Sequence, residues 1–214
     1  MISGDDLVRR VRRLVNEADD DASVSLMAVD RCSFDTNVRE LMPQAVAFVQ
    51  RSKGMSGMRV NVKSAHGLVA EASGIGARVV LPADYVSFVQ ARMPGWRRPC
   101  RESYTAGSPM AVLQENGYAS AGCCKPVCVA GCGEGGVKVL YLYPRPEAVE
   151  TVDELLYEAQ YDEAEGLVCC DACMADAVAY ECAALLYTVF ERYDAANMFH
   201  SLALASCNGK VNDK

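Results

Sequence analysis

Cysteines are the residues of this chain best suited to chemistry, and there are 11 of them among 214 residues. Seven are closely spaced in two groups, which are Cys123, Cys124, Cys128 and Cys132, and then Cys169, Cys170 and Cys173. Only Cys170 and Cys173 have the two-residue gap of a zinc knuckle, because the wider gaps of the first group wrap poorly around a tetrahedral ion. Reduced thiols that fill space as small apolar residues are the favoured interpretation. A cysteine-rich, zinc-binding interaction module is the alternative function.

Other catalytic patterns are missing from the sequence. The two histidines, His66 and His200, lie far apart, and neither has carboxylates at ligand spacing. The sequence contains no phosphate-binding glycine loop, serine nucleophile elbow or zinc-protease helix motif. Acidic neighbours disfavour a thiolate nucleophile at Cys170 or Cys173. The sequence therefore predicts no enzymatic activity, no cofactor and no resident metal.

Charge is distributed unevenly along the chain. The net charge is −7, but residues 144–200 hold 13 acids and two bases, a net −11 that leaves +4 for the remainder. A surface this acidic repels phosphate, so we expect no general affinity for nucleic acid. It would suit a wall past which DNA slides without adhering, although acids that only keep the chain soluble are the simpler explanation.

Composition indicates a globular protein with a substantial core. Apolar residues make up 51% of the chain and charged residues 23%. No apolar run approaches the roughly 20 residues that a membrane span needs. Asp5 and Asp6 occupy positions where a secretory signal would be basic and then apolar. We therefore expect a protein that folds in the cytosol.

Helical periodicity marks both ends of the chain. Residues 3–18 predict an amphipathic helix that Ser3 caps, and a second helix extends from about residue 33 to 52. Pro43 should kink or divide the second helix. The two form an antiparallel pair if their connection is short. From residue 171 the helical pattern returns, with a break at 192–194 and a closing helix at 195–205.

The middle of the chain follows the two-residue period of strands. Strands are predicted at 58–63, 78–81, 84–91, 127–129, 137–142 and 155–157, although the pattern at 84–91 also permits a helix, and the glycine-rich segment 67–76 is predicted as a turn. The strands at 127–129 and 137–142 should form a hairpin with a wide loop. Ser108 and Pro109 suit the N-cap and first position of a short helix that Gly117 ends.

The order of elements predicts an α+β fold. N-terminal and C-terminal helices would pack together as a bundle, with a β-rich insertion between them. We treat residues 1–214 as a single domain with three parts. These are the N-terminal helices at 1–55, the β-rich part at 56–165, and the C-terminal helices and tail at 166–214.

Several short segments, in order along nearly the whole chain, carry a family resemblance. They are the helical patterns at 7–15 and 38–49, then Leu81-Pro82-Ala83-Asp84-Tyr85-Val86, Gly95-Trp96-Arg97-Arg98-Pro99, Ser108-Pro109, Gln114-Glu115-Asn116, Lys125-Pro126-Val127, Val139-Leu140-Tyr141-Leu142-Tyr143 and Tyr193-Asp194-Ala195-Ala196. In these segments the chain resembles the head-to-tail adaptor, or connector ring, proteins of tailed bacteriophages, and it is most similar to those of crAss-like podoviruses.

The resemblance implies a structural virion protein of the neck and tail region that assembles in the host cytoplasm. Such proteins form a ring, usually of about twelve copies, below the portal vertex. Their partners are the portal protein, neighbouring copies, and a further ring or the tail nozzle, with no membrane involved. Genome DNA passes through the lumen during ejection and is not bound by sequence.

Two sets of site residues accompany this interpretation. The predicted interaction residues are Trp96, Arg97, Pro126, Phe199, Leu202 and Leu204, and the predicted channel-lining acids are Glu158, Asp162, Glu163 and Glu165. The segment 199–204 is expected to dock on the portal. Deleting residues 198–214 should then prevent attachment and leave the fold intact.

Overall fold

The computed structural model describes residues 2–19, 31–52, 59–145, 150–167 and 172–208. The predicted α+β class is confirmed by five α-helices and nine β-strands within this part of the chain. The helices are α1 (Gly4–Asp19), α2 (Arg31–Ser52), α3 (Pro109–Leu113), α4 (Ala172–Val189) and α5 (Tyr193–Cys207). The strands are β1 (Val62–Ala65), β2 (Leu68–Ser73), β3 (Gly76–Val80), β4 (Tyr85–Arg92), β5 (Ser103–Thr105), β6 (Val127–Cys132), β7 (Lys138–Tyr143), β8 (Thr151–Val152) and β9 (Glu154–Ala159).

The chain divides into two compact units. Residues 1–62 and 160–214 form one of them, which we call the helical unit, and residues 63–159 form the other, which we call the sheet unit. The sheet unit lies within the predicted β-rich part, 56–165. Among the residues that the structure describes, no helix combines the length and the apolar character needed to cross a membrane.

The first helix of the helical unit begins as its sequence predicts. The Ser3 hydroxyl accepts a hydrogen bond from the backbone N–H of Asp6 at 3.1 Å, and this satisfies one of the free donors of the first turn. Leu7, Val11 and Val15 are buried along one side of α1. The spacing of these three residues, four apart, therefore fixes which face of the helix enters the core.

Two arginines, one on each helix, settle the orientation of the N-terminal pair. Arg12 of α1 bonds Asp35 near the start of α2, whereas Arg39, one turn further along α2, bonds Asp5 at the start of α1. Because later positions of α2 meet earlier positions of α1, the helices are antiparallel, as predicted. Helix α2 continues through Pro43 as one element, so the expected division there is wrong.

Helix α4 is the centre of the helical unit. It contacts α1, α2 and α5, and small residues make up much of its length, including Ala177, Ala179 and Ala183. Where α4 meets α5, the rings of Tyr187 and Phe199 stack with centroids 5.5 Å apart. The predicted bundle of N-terminal and C-terminal helices is thus confirmed, with one continuous apolar core.

Two sheets build the sheet unit. The larger has the strand order β5-β6-β7-β3-β2-β8 and the smaller has the order β1-β9-β4. The strands β6 and β7 form the predicted hairpin, with Val127 opposite Tyr143 and Cys132 opposite Lys138. The short helix α3 begins as expected, because the Ser108 hydroxyl accepts a hydrogen bond from the N–H of Ala111, but it ends at Leu113, before Gly117.

The glycine-rich segment 67–76 differs from its prediction as a turn. Most of it is the strand β2, which pairs with β3 through a tight turn at Gly74 and Ile75. Only Gly74 in that turn needs a left-handed backbone, with a φ of 57°. The alternation of buried and exposed residues in β2 is hard to recognise in the sequence, because its buried residue, Ala70, is small. The strands β5 and β8, of three and two residues, were also missed.

The strand predicted at 58–63 begins later than expected. Its first described residues, 59–61, precede β1, which starts at Val62. The backbone φ of Asn61 is 56°, in the left-handed region, so the extended conformation cannot continue through this position. The Asn61 side chain instead donates a hydrogen bond to the carbonyl of Gln160 at 2.8 Å. Asparagine tolerates this conformation better than most residues do.

Acid should destabilise the sheet unit through Asp84. Its carboxylate accepts hydrogen bonds from Lys63 at 2.8 Å and from the Tyr157 hydroxyl at 3.1 Å. Burial raises the pKa of Asp84, but the bonds from Lys63 and Tyr157 outweigh burial and hold the pKa below its ordinary value of 3.8. The Asp84 carboxylate therefore binds a proton less tightly in the folded state than in the unfolded state. The resulting stabilisation is complete above about pH 4 and is lost as pH falls through the folded pKa.

We expect Asp84→Asn to lower the free energy of unfolding by about 1–2 kcal/mol at pH 7. We also expect it to reduce the loss of stability that the wild-type chain shows below about pH 4. Urea unfolding of both chains at pH 7 and pH 3 measures both effects. Asp153→Asn is the matched control, since that carboxylate is exposed. An equal pH dependence for Asp84→Asn and wild type would contradict the assignment.

Candidate functional site

The most exposed apolar side chains of the helical unit lie on α5 and at its junction with α4. Exposed fractions are 62% for Val189, 60% for Tyr193, 48% for Met198 and 40% for Leu202. Met198 and Leu202 are four residues apart and therefore lie one above the other on one face of α5. We call these two residues the α5 face. Large apolar side chains left outside a core are typical of surfaces that contact another protein.

The predicted interaction residues of this segment divide between the surface and the core. Leu202 belongs to the α5 face, and Leu204 is half-buried. Phe199 is only 3% exposed and stacks on Tyr187, so its prediction as a docking residue is corrected. Met198 takes its place. It could have been found from the sequence, since Phe199, Ala203 and Cys207 follow a period of four and leave Met198 outside the face that they form.

The expected effect of truncation is corrected as well. Deleting residues 198–214 would remove Phe199, Ala203 and Cys207, which are all buried in the core of the helical unit. That deletion would expose the facing side of α4 and unfold the bundle. It therefore cannot separate docking from folding, and single exposed positions are needed for that purpose.

Three of the four predicted channel acids lie together on one loop. Asp162, Glu163 and Glu165 are exposed between β9 and α4, and we call them the acidic loop. The loop is fixed to the start of the chain by paired backbone bonds, Ile2 N–H to the Leu167 carbonyl at 2.8 Å and Leu167 N–H to the Ile2 carbonyl at 2.9 Å.

Glycine is required where the acidic loop meets the start of the chain. Gly166 has a φ of 72°, and a Cβ on it would lie 2.8 Å from the Ile2 carbonyl oxygen. Both the backbone conformation and the close approach therefore exclude other residues. This constraint holds the carboxylates of the acidic loop at a defined place on the helical unit.

Arg39 partly neutralises the acidic loop. Its guanidinium bonds Glu163 on one side and Asp5 on the other, and these two hydrogen bonds raise the pKa of Arg39 above its ordinary value. Together with Ser3 and Asp162, these three residues line an open cleft. The carboxylates outnumber the one guanidinium there, so the surface of the cleft remains acidic.

Glu158, the fourth predicted channel acid, is in a different environment. It lies on β9 of the sheet unit, its side chain is buried, and it accepts a hydrogen bond from the Ser87 hydroxyl. A buried carboxylate presents no charge to a lumen, so the expectation for Glu158 is corrected. Its position on the inner side of a strand was obscured by the acids that surround it in the sequence.

The predicted interaction residues of the sheet unit are mostly internal. Trp96 is buried, and its indole N–H donates a hydrogen bond to the Pro144 carbonyl at 2.9 Å. Pro126 is buried at the start of β6. Arg97 is exposed, and it is the residue of this set whose side chain faces solvent. The motifs at 95–99 and 125–127 thus act mainly in packing within this unit.

The cysteines that the structure describes do not converge on one point. Cys128 is buried on β6, whereas Cys124 and Cys132 are exposed on either side of it along the chain. No group of three or more His, Cys, Asp or Glu residues with metal-binding geometry occurs among the described residues. Cys169 and Cys170 of the second predicted group lie outside the described residues.

Each histidine is held by local hydrogen bonds. His66 Nδ1 lies 2.7 Å from the Asp153 carbonyl, and its Nε2 lies 2.8 Å from the Ser64 hydroxyl. His200 Nδ1 lies 2.9 Å from a carboxylate oxygen of Glu181. Burial raises the pKa of Glu181, and the bond from His200 opposes that effect.

The candidate site of this chain is therefore a surface, composed of the α5 face and the acidic loop of the helical unit. Neither part is a deep pocket, and the two offer different chemistry, one apolar and one anionic. No family model and no curated protein matches the sequence.

Proposed function

We propose that this chain is a structural virion protein that forms a ring between the portal and the tail, a head-to-tail adaptor through which the genome passes. The segments in which the sequence resembles connector ring proteins, spread along nearly the whole chain, support this function. The two parts of the candidate surface support it separately. A ring adaptor needs a surface that binds protein and a surface that does not retain DNA.

The α5 face is the observation that carries the proposal. Met198 and Leu202 expose nearly half of their side chains while Phe199, between them in sequence, is buried. An apolar face of this kind loses its contact with water when a partner covers it, which favours association by about 25 cal/mol per Å² of apolar surface. We assign the portal protein as the partner of the α5 face. Heterologous contacts between neighbouring copies then close the ring.

The experiment combines the purified chain with purified portal protein. Sedimentation and electron microscopy would measure mass and shape for each protein alone and for the mixture. We expect a ring of this chain bound to one end of the portal. A chain that stays monomeric in the presence of portal, with no change in the mass of the portal, would refute the proposal.

The acidic loop gives a prediction for genome passage. If Asp162 and Glu165 border the lumen, charge reversal to lysine would attract DNA phosphates and slow their movement. In phage particles that carry Asp162→Lys with Glu165→Lys, we expect DNA ejection to slow by roughly tenfold. The measurement is dye-detected DNA release from purified particles.

Glu115→Lys with Glu134→Lys is the matched control for the acidic loop. Both residues are exposed acids of the sheet unit, and the two pairs of substitutions change the net charge equally. The control pair should leave the ejection rate unchanged. Equal ejection rates for the two double variants would show that the acidic loop does not border the channel.

A further inference from the structure

Two cysteines of the sheet unit lie side by side with little exposure to solvent. Each thiol shifts the pKa of the other, so the Cys100 and Cys128 side chains lie close together, and the Cys100 thiol also donates a hydrogen bond to the Glu102 carbonyl at 3.1 Å. Cys100 is 6% exposed and Cys128 is fully buried. They are far apart in the sequence, so their contact is a product of the fold.

Backbone pairing holds both cysteines in place. Cys100 exchanges two hydrogen bonds with Ala91 of β4, each with an N···O distance of 2.9 Å. Cys128 lies on β6, between Ser103 of β5 and Leu142 of β7. Neither backbone can move away without breaking these backbone hydrogen bonds, so the two side chains stay close together.

Cys100 lines a basic cleft that Cys128 does not reach. The cleft has a volume of about 470 Å³, and its charged lining comprises Arg98, Arg101, Lys125 and Glu102. Three cations and one carboxylate give it a net positive charge, which favours anionic molecules. A reagent that enters this cleft therefore reaches Cys100, whereas Cys128 is not part of the lining.

The two thiols differ in their acidity. The hydrogen bond from Cys128 lowers the pKa of Cys100 to about 7, although burial acts in the opposite direction. Burial raises the pKa of Cys128 well above its ordinary value. Because the thiolate is the nucleophile in thiol chemistry, Cys100 is suited to make the first attack, and the proximity of Cys128 to Cys100 lets it resolve the product.

We propose that Cys100 and Cys128 form a thiol–disulfide exchange site, in which an anionic low-molecular-weight disulfide enters the basic cleft and oxidises the pair to an intramolecular disulfide. The inference is independent of the proposed ring function. It would give the sheet unit a crosslink once the protein leaves a reducing cytosol, where such thiols remain reduced.

The exchange proceeds in two balanced steps. The Cys100 thiolate attacks one sulfur of the small disulfide, the S–S bond breaks, and one small thiolate leaves with the electron pair. Cys128 then loses its proton, and its sulfur attacks the Cys100 sulfur and releases the second small thiolate. The two cysteines are oxidised by two electrons, and the small disulfide is reduced to two thiols once the leaving groups take up protons.

The disulfide should stabilise the sheet unit. It would join the segment that follows Trp96 to strand β6 and close a loop of about 30 residues in the unfolded chain. Restricting the unfolded state in this way is expected to raise the midpoint of thermal unfolding by roughly 5–10 °C.

The test treats the reduced full-length chain with oxidised glutathione at pH 7, followed by alkylation and peptide mass spectrometry. We expect a peptide pair crosslinked through Cys100 and Cys128. In Cys128→Ala, glutathione should remain attached to Cys100, because no second thiol can release it. Cys124→Ala and Cys132→Ala, which remove exposed thiols, should leave the crosslink unchanged.

A second arm tests the role of the basic cleft. Arg101→Gln with Lys125→Gln should slow crosslinking by oxidised glutathione by roughly tenfold. The same variant should react with the uncharged hydroxyethyl disulfide at the wild-type rate. An equal loss of rate with both reagents would overturn the assignment of an anionic substrate.

The crosslink map of the wild-type chain tests the site even if a cysteine variant fails to fold. Glutathione attached only at Cys124 or Cys132, without a crosslink between Cys100 and Cys128, would overturn the proposal. So would a crosslinked chain whose thermal midpoint equals that of the reduced chain, because it would show that the fold does not hold the pair.

Discussion

Met198→Glu together with Leu202→Glu is expected to weaken attachment of this chain to the portal by at least about a hundredfold. The two substitutions place carboxylates on the α5 face, where a covering partner would have to remove them from water without a counter-charge. Both side chains are substantially exposed in the chain itself, so its own fold should tolerate the change. Binding of the variant to immobilised portal measures the effect.

Asn197→Glu is the matched control for that prediction. Asn197 is exposed on the same helix, but it lies about 100° around the axis from Met198. It makes the same charge change as either single substitution, Met198→Glu or Leu202→Glu, but outside the α5 face, and it should leave portal attachment within about twofold of wild type. Circular dichroism should show unchanged helix content in both variants. Full attachment by the double variant would mean that the partner binds elsewhere.

The parts of the fold that followed from sequence are those with strong local signals. Ser3 and Ser108 are each followed by the helix that they were predicted to cap, because capping depends only on residues within one turn. The antiparallel N-terminal pair also follows from local patterns, since each helix carries one apolar stripe. The ion pairs that fix its alignment, Arg12 with Asp35 and Arg39 with Asp5, each join one helix to the other, so they do not follow from a pattern within either helix.

The failures of sequence reasoning have a different physical origin. Strand β2 was missed because its buried positions hold residues as small as Ala70, so the alternation of apolar and polar side chains is weak. Glu158 was expected at a surface because charge alone suggests exposure. The Ser87 hydroxyl that bonds it comes from β4, which is distant in the sequence. The contact between Cys100 and Cys128 depends in the same way on strand pairing.

The candidate surface was predictable in composition but not in detail. The sequence places an apolar segment near the end of the chain and acids before α4, and both features are present in the structure. Which apolar residues face outward depends on the phase of α5 relative to α4. The buried residues of α5 set that phase, among them Phe199, which stacks on Tyr187, and Met198 and Leu202 lie beside this buried face.

Substitution of Phe199 is expected to have the second large effect, which is a loss of stability. It separates the role of α5 in core packing from its role in binding the portal. Phe199→Ala should lower the free energy of unfolding by about 3–5 kcal/mol, because it leaves a cavity beside the rings of Tyr180 and Tyr187. Leu202→Ala on the α5 face should change the same quantity by less than about 1 kcal/mol. Urea unfolding followed by circular dichroism measures both.

The two alanine variants should therefore have opposite profiles. Leu202→Ala is expected to lose affinity for the portal while it keeps its stability, since its side chain contacts little within the chain. Phe199→Ala is expected to lose stability, and at temperatures where it remains folded it should bind the portal like wild type. If Leu202→Ala were instead the destabilised variant, the helix would be rotated about its axis. The α5 face would then have to be assigned to the side that carries Phe199.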